Sequence, residues 1–563
     1  MRVDLAYLGR SQMLDSSSGS GQTLSMMPNL AREKVSFDAP LRQPLRFREA
    51  MSALHDVVIN DLRFKPRDKT AYEEWKKQQV AARQSMYRRE LDRAKKDLAE
   101  QRNQNPAPPG FDTLFEQTRK RYWNARFKLA DLLRRDDPEL WRWLMPCDPV
   151  ITVADDVVFF ECFSADESSY GCLTVSRDGF GSGSAVQRGT TNVDYSWELY
   201  HHFQSLRSYR ETRFLIDPSG FEVKTDAAPG YREEKIDLPG GWLRGFMTTQ
   251  EAMGMPGLTV SLTREAVYSA AAFLKRHKAK ESPRAVRFEL LPGKAPTIVL
   301  EPWEQRIVSY GAVCDGPPTE PIRIWGARRL LVLSRLLPLA ERFEVLLLGT
   351  GLPSFWVAHM GEMQLTLGLS GWTTNDWTRG SALDLLAPPA TITEDLLGRV
   401  GRILQERRAM SLAELQSATS AAAPAVTAAL RRLAFAGQVI HDLPNRVYRF
   451  RQVMPVPLGE AQLGAENAEL TAARQLMWTR NAKLESSDHS DRGSIHIGKV
   501  ESTPVEILVD LDGRIRRGKC VCGHFRKYGI RNGPCRHMIV LRYLSSATRS
   551  ASGSKSDGLA SPI

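Results

Sequence analysis

The sequence predicts a multidomain α+β protein, and hydrophobic patterns along its 563 residues support this class. Helical periodicity prevails near the N-terminus, and short apolar runs between Gly, Pro and Asp prevail in the middle. This length suggests three or four domains. In chain order we predict an N-terminal region, a mixed core, a helical unit, a connecting segment, a small cysteine-containing module and a disordered tail, at residues 1–149, 150–390, 391–452, 453–502, 503–546 and 547–563.

The N-terminal region is predicted to be mostly helical. A first helix is expected at Pro44–Val58. From about Asp68 to Arg102, apolar side chains recur at helical spacing with Lys and Arg between them. The proline-rich segment Asn105–Gly110 ends this helix, and a second one follows from about Asp112 to Arg135. We therefore expect a helical hairpin whose basic residues are solvated or contact a partner.

The residue pattern in the middle of the chain predicts a mixed α+β core of one or two domains. Strand signals occur at Val157–Phe163, Arg213–Asp217 and Phe343–Leu348, and helices are expected at Leu262–Arg276 and Gly326–Leu337. If the core has an active site, we expect its pocket in the Gly- and Trp-rich segment 349–377.

Residues 391–452 contain clear helix-capping signals. Thr393 precedes two acidic residues, and Ser411 with Glu414 forms a capping box. A third helix is expected at Ala423–Phe435, followed by two strands around a turn. Three helices and a terminal hairpin resemble a winged helix-turn-helix domain. Its third helix offers few hydrogen-bonding groups to bases, so any DNA contact would use phosphates, through wing residues Arg446, Arg449 and Arg451 and helix residues Arg431 and Arg432. A purely protein-binding role remains open.

Three of the seven cysteines lie together near the C-terminus. Cys520 and Cys522 form C-x-C, and Cys535 and His537 form C-x-H after twelve intervening residues. Three thiolates and an imidazole suit a tetrahedral zinc ion, and four protein ligands leave no position for water. We predict one structural zinc per chain, with His524 as the competitor for the fourth position.

The flanks of these cysteines resemble the SWIM zinc finger family. A hairpin turning at Asp512-Gly513 precedes the first pair, and a helix is expected to begin near Pro534. More widely, the strings EPWEQRI, IRIWG, LLGTGLPSFWV and LTLGLSGWTTNDW are similar to those of bacterial SWIM proteins. That family is typically encoded beside a MoxR-type AAA+ ATPase and a von Willebrand factor A-domain protein, so the resemblance implies these two partners.

The formal net charge of +12 favours a polyanionic partner, DNA or RNA. Residues 513–548 contain no acidic side chain. We predict phosphate contacts by the cations in this segment, and Phe525 and Tyr528 either stack on bases or pack beneath the zinc loop. The predicted contact residues are Arg514, Arg516, Arg517, Lys519, Arg526, Lys527, Arg531 and Arg536.

Several motifs are absent from the sequence. There is no phosphate-binding G-x-x-x-x-G-K-[ST] loop, no signal-peptide pattern and no apolar run long enough for a membrane span. We therefore expect a cytoplasmic, non-enzymatic zinc-binding adaptor for nucleic acid or protein that acts with a separate ATPase. Two alternatives remain: a nuclease or transposase-like enzyme with its active site in 150–390, and a pure protein-interaction scaffold.

Overall fold

The structure is a computed structural model, and the chain divides into two compact units, residues 1–60 with 146–563 and residues 61–145. The predicted helical hairpin belongs to the second unit and lies outside the described residues, apart from four helical positions. The described residues are 12–15, 21–26, 35–59, 114, 117, 118, 121, 149–164, 166–183, 186–193, 203–204, 206–209, 211–216, 240–281, 283–371, 392–452, 468–479, 481–490, 493–510, 515–530 and 533–552.

The N-terminal and central parts of the larger unit form three β-sheets with covering helices. Short 3₁₀ segments occur at Arg177–Gly179 and Ala327–Arg335. In chain order the elements are β1 Gln12–Asp15, β2 Gly21–Met26, β3 Phe37–Leu41, α1 Pro44–Val58, β4 Val150–Val153, β5 Val157–Phe163, β6 Ser169–Ser176, β7 Gly189–Asn192, β8 Glu211–Ile216, α2 Gly240–Met253, β9 Leu258–Thr263, α3 Arg264–Arg276, β10 Val286–Glu289, β11 Thr297–Leu300, β12 Gln305–Val308, β13 Ile322–Ile324, β14 Arg342–Leu347, β15 Ser354–Met360 and β16 Met363–Leu369.

The largest sheet is antiparallel, with strand order β7-β4-β5-β6-β16-β15-β14-β9. All seven residues of β5 are buried, so both faces of the sheet are covered at this strand. A four-stranded mixed sheet β1-β2-β8-β3 and a smaller sheet β12-β11-β10-β13 accompany it. Edge-to-face contacts of Phe47 with Phe160 and Phe214 join α1 to two of the sheets. One continuous hydrophobic core results.

Within the larger unit, two further segments follow along the chain, and each has its own hydrophobic core. The first contains a small sheet of order β17-β19-β18, and the second an antiparallel sheet of order β20-β21-β22-β23. The chain is therefore a multidomain α+β protein. The elements are α4 Glu394–Arg407, β17 Ala409–Met410, α5 Leu412–Thr419, α6 Ala423–Phe435, β18 Val439–Asp442 and β19 Val447–Phe450, then α7 Ala468–Trp478, β20 Ala482–Ser490, β21 Gly493–Val500, β22 Thr503–Val509, β23 Ile515–Cys520, α8 Gly523–Tyr528 and α9 Arg536–Ser552.

Local sequence signals placed many of these elements correctly. Helices α1 and α6 and strand β5 have the predicted bounds. The Thr393 hydroxyl accepts from the backbone N–H of Leu396, and Ser411 and Glu414 form the predicted capping box. These elements are defined by short-range patterns, which is why the sequence predicted them.

Two predicted helices differ from the structure. The stretch predicted as a helix from Leu262 begins at Arg264, because Thr263 ends β9 and caps the helix by accepting from Ala266. The stretch at 326–337 forms a 3₁₀ helix, Ala327–Arg335. Its buried leucines, Leu330 and Leu333, are three residues apart, which is the 3₁₀ period, and the buried Leu336 follows at the C-cap.

Candidate metal centre

The C-terminal module contains the sheet β20-β21-β22-β23. Helix α9 packs on one face of this sheet, and α7 packs against α9. Met538 and Leu541 of α9 are fully buried in its core. Two strand glycines allow the close approach of α9. A Cβ at Gly498 would lie 2.6 Å from Cδ1 of Leu541, and one at Gly518 would lie 2.6 Å from Cε of Met538. The segment predicted as a connector, 453–502, thus supplies α7, β20 and β21 to this module.

The four predicted zinc ligands come together. Cys520 ends β23, Cys522 is the N-cap of α8, Cys535 directly precedes α9 and His537 lies in its first turn. Their ligand atoms all lie within 4.8 Å of one another, and Sγ of Cys520 is 3.6 Å from Nδ1 of His537. Tetrahedral zinc with bonds of about 2.3 Å to sulfur and 2.0 Å to nitrogen requires ligand separations of about 3.5–3.8 Å. The donor set and its spacing therefore fit one zinc ion.

Burial shifts the pKa values of three of the four side chains in the cluster. Burial raises the pKa values of the Cys520 and Cys535 thiols and lowers the pKa of His537. Sγ of Cys522 accepts a hydrogen bond from the backbone N–H of Phe525 at 3.5 Å. A bound cation would replace the thiol protons and compensate the buried negative charge of the thiolates. Four protein donors would fill every position of a tetrahedral zinc ion, so an ion bound here would have a structural role.

His524, the predicted competitor, is not part of the cluster. Its Nδ1 lies 3.6 Å from Oε1 of Glu469, and its ring packs against Tyr528 with centroids 5.2 Å apart. Helix α8 turns this side chain toward α7, and the fourth side chain of the cluster is that of His537.

The predicted phosphate-contacting cations fall into three groups. Arg514 and Arg531 lie outside the described residues. Arg516, Lys519 and Arg536 form ion pairs with Asp510, Glu506 and Glu469, respectively. The remaining three are exposed and have no salt-bridge partner among the described residues: Arg517, Arg526 and Lys527.

The arginines of the predicted wing lie in a different environment from the one expected. Arg449 bonds to Asp156 at 2.7 and 2.8 Å and to Asp442 at 2.8 Å. Arg451, only 1% exposed, bonds to the fully buried Glu161 at 2.7 Å. The expectation that these two residues contact phosphate is wrong, because both hold the β18–β19 hairpin against the core. Arg446 alone of the three is exposed.

Helix α6, the third helix of the same unit, also docks onto the core. It packs on α2, and Arg431 bonds to Glu251 at 3.0 Å. In the adjoining strand β18, the backbone N–H of His441 donates to Oε1 of Gln250 at 2.7 Å, and its ring nitrogen Nδ1 is 2.9 Å from the carbonyl of Met253. Arg431, one of the two helix cations predicted to contact phosphate, is thereby paired with a carboxylate of the core.

The charged residues of EPWEQRI and IRIWG form one network on the β10–β13 sheet. The buried Glu301 accepts from Arg287 at 2.5 Å and from Arg323 at 2.9 Å. Hydrogen bonds from Arg287 also lower the pKa of Glu304. The network is completed by Glu289 and Arg306. Each carboxylate is paired with an arginine, and among the described residues only the Cys/His cluster gathers three or more potential metal ligands within range of one ion.

The segment expected to line any core pocket is only partly described. Trp356 is 1% exposed and packs against Phe288 with ring centroids 5.9 Å apart, so it is a core residue. Trp372 and Trp377 lie outside the described residues.

Comparison with known proteins adds little to this picture. No protein-family profile and no curated protein matches the chain. Solved structures that resemble part of it include the proliferating cellular nuclear antigen from Entamoeba histolytica, at 10% identity and a TM-score of 0.28. Another is the C-terminal region of FEN-1 bound to A. fulgidus PCNA, at 13% identity and a TM-score of 0.26. Each similarity covers 41% of this chain and 91% of the other.

Among the described residues, no helix is both long enough and apolar enough to cross a bilayer.

Proposed function

We propose that this protein is a non-enzymatic zinc-binding adaptor whose C-terminal module binds nucleic acid through phosphate contacts. The observation that carries the proposal is the set of exposed cations, Arg517, Arg526 and Lys527, around a closed Cys₃His cluster. A zinc ion would hold β23, α8 and the start of α9 in fixed relation. The cations would then form a rigid surface for phosphate oxygens.

The order of elements supports assigning the SWIM finger and the winged helix. A hairpin, β22–β23, delivers the C-x-C pair, and the C-x-H pair opens a helix. In residues 392–452 the order α4-β17-α5-α6-β18-β19, with a sheet of β17-β19-β18, follows the winged-helix plan. The SWIM resemblance adds a MoxR-type ATPase and a von Willebrand factor A-domain protein as proposed partners.

The pairing of the wing arginines favours the zinc module, and not the wing, as the nucleic-acid surface. Arg449 and Arg451 satisfy core carboxylates and are buried, so they are not available to phosphates. The winged helix would therefore serve as an internal brace, and the finger would provide the nucleic-acid surface.

Salt-dependent binding tests the proposal. The full chain and the variant Arg517→Ala/Arg526→Ala/Lys527→Ala would be titrated with labelled DNA and RNA between about 50 and 200 mM salt. Losing three phosphate contacts should reduce the slope of log K against log[salt] by about 2 to 3. The matched control, Arg276→Ala/Lys278→Ala/Lys280→Ala, removes three exposed cations from the surface of the central region and should leave the slope unchanged. Equal slopes for all three proteins would contradict the proposal.

A protein-binding scaffold is the second candidate, and one surface favours it. Ile495 and Ile497 on β21 are 39% and 40% exposed, on the sheet face opposite α9. Ile495 pairs with Leu508, and Lys499 of this face forms an ion pair with Glu485 at 3.0 Å. Exposed apolar side chains beside paired charges suit a partner with an apolar contact surface.

Co-purification distinguishes the two candidates. If a protein partner occupies this sheet face, Ile495→Ser/Ile497→Ser will remove it from the tagged protein, whereas Arg526→Ala/Lys527→Ala, which changes only cations of α8, will retain it. Loss of the partner in Arg526→Ala/Lys527→Ala alone would point to capture through nucleic acid.

A further inference from the structure

Glu469 lies next to the metal cluster although it is distant from the ligands in sequence. It is in the first turn of α7 and its side chain is 11% exposed. Oε2 accepts from the backbone N–H of Arg536 at 2.7 Å and from Nε of the same residue at 3.1 Å. Oε1 accepts from Nη2 of Arg536 at 2.7 Å and lies 3.6 Å from Nδ1 of His524. The Glu469 carboxylate therefore contacts one residue near each pair of predicted ligands, Arg536 and His524.

The contacts of Glu469 fall beside each pair of ligands. Arg536 separates Cys535 from His537, and its N–H is the first of α9, which has no partner within the helix. A carboxylate at that end also interacts favourably with the helix dipole. His524 follows Cys522 by two residues on α8. Glu469 thus connects the backbone of the C-x-H pair with the helix that follows the C-x-C pair.

We infer that Glu469 is a positioning residue for the metal site and that the metal-binding unit begins at α7. The inference rests on the proposed zinc site. Partners of this kind, outside the ligand set, typically change metal affinity by about 10- to 100-fold when they are replaced. The hairpin and α9 alone would then form an incomplete site, because the C-x-H backbone would lose its carboxylate.

The test is the zinc affinity of the full chain, measured by competition with a chromogenic chelator. Glu469→Gln should weaken zinc binding by about 10- to 100-fold. Glu506→Gln is the matched control, since Glu506 lies in the same module and pairs with the exposed Lys519 at 3.0 Å. This control should bind zinc like the unmodified protein. Affinity in Glu469→Gln equal to that of the control would overturn the inference.

A spectroscopic readout separates positioning from general stability. Cobalt(II) bound by three thiolates and an imidazole has visible bands that depend on the ligand geometry. At saturating cobalt, Glu469→Gln should shift these bands, whereas Glu506→Gln should not. Weakened zinc binding with unshifted bands would show a merely structural role and would also overturn the inference.

A second variant provides a test if Glu469→Gln does not fold. Arg536→Met keeps the backbone contact to Glu469 and removes the two side-chain bonds. Its zinc affinity should fall between those of the unmodified protein and Glu469→Gln, or below the unmodified value if Glu469→Gln cannot be isolated. Unchanged affinity in Arg536→Met would contradict the role of this contact. If cobalt gives no thiolate band in the unmodified chain, the zinc proposal itself has failed.

Discussion

Replacing Arg451 should release the β18–β19 hairpin from the core. In Arg451→Met the guanidinium is lost, while the fully buried Glu161 keeps one hydrogen bond, from the Tyr170 hydroxyl at 2.7 Å. Burial already raises the pKa of Glu161, and Arg451 opposes that effect. Removing one partner of a buried ion pair costs about 3–5 kcal/mol. The opening equilibrium of the hairpin should therefore increase by about a hundredfold to several thousandfold.

Native-state hydrogen exchange of the β19 amides measures this change directly. Arg432→Met is the matched control in the same unit, because Arg432 pairs with Glu394 at the surface, where both side chains are more than half exposed. Such a pair contributes about 0–1 kcal/mol. The double variant Arg451→Met/Glu161→Gln should recover much of the protection, since no unpaired charge remains. Equal exchange in Arg451→Met and Arg432→Met would refute the argument.

Further predictions concern the metal, the packing of α9, a helix cap and catalysis. Purified protein should contain one zinc per chain, and Cys535→Ala should lose it and unfold the C-terminal module, as shown by metal analysis and circular dichroism. Gly498→Ala should destabilise that module by about 1–3 kcal/mol in denaturant titrations, because the added Cβ would lie 2.4 Å from the carbonyl of Lys483. Ser411→Ala should cost about 1 kcal/mol of helix stability by the same method. The protein should neither hydrolyse ATP nor cleave nucleic acid with Mg²⁺ or Mn²⁺. Turnover abolished by a point mutation in 150–390 would favour the enzyme alternative.

The sequence predicted features that depend on neighbouring residues. The ligand pairs, the capping box and the bounds of α6 follow from spacings of a few positions. Strand β20 was missed because its side chains are mostly polar and exposed, as an edge strand allows. Glu469 was missed because its partner Arg536 is 67 residues away, and an acidic residue in a first helical turn is ordinarily interpreted as a local helix signal.

The sequence did not predict the packing of the wing against the core, for a related reason. Arginines in and beside β19, at Arg446, Arg449 and Arg451, resemble a solvated face, and nothing local indicates burial. The one available signal was Glu161, a lone carboxylate within the apolar run of β5. A charge in a buried strand requires a cationic partner, and Arg451 supplies it.

The anchoring of Arg451 also limits the reach of the zinc module. Residues 453–467 join the docked hairpin to α7, and a chain of this length spans at most about 54 Å when fully extended. Because the start of this tether is fixed to the core by a buried ion pair, a ligand held by the module stays within a bounded radius of that point. The effective concentration of that ligand at the core then has a lower bound, which the maximum length of the intervening chain sets.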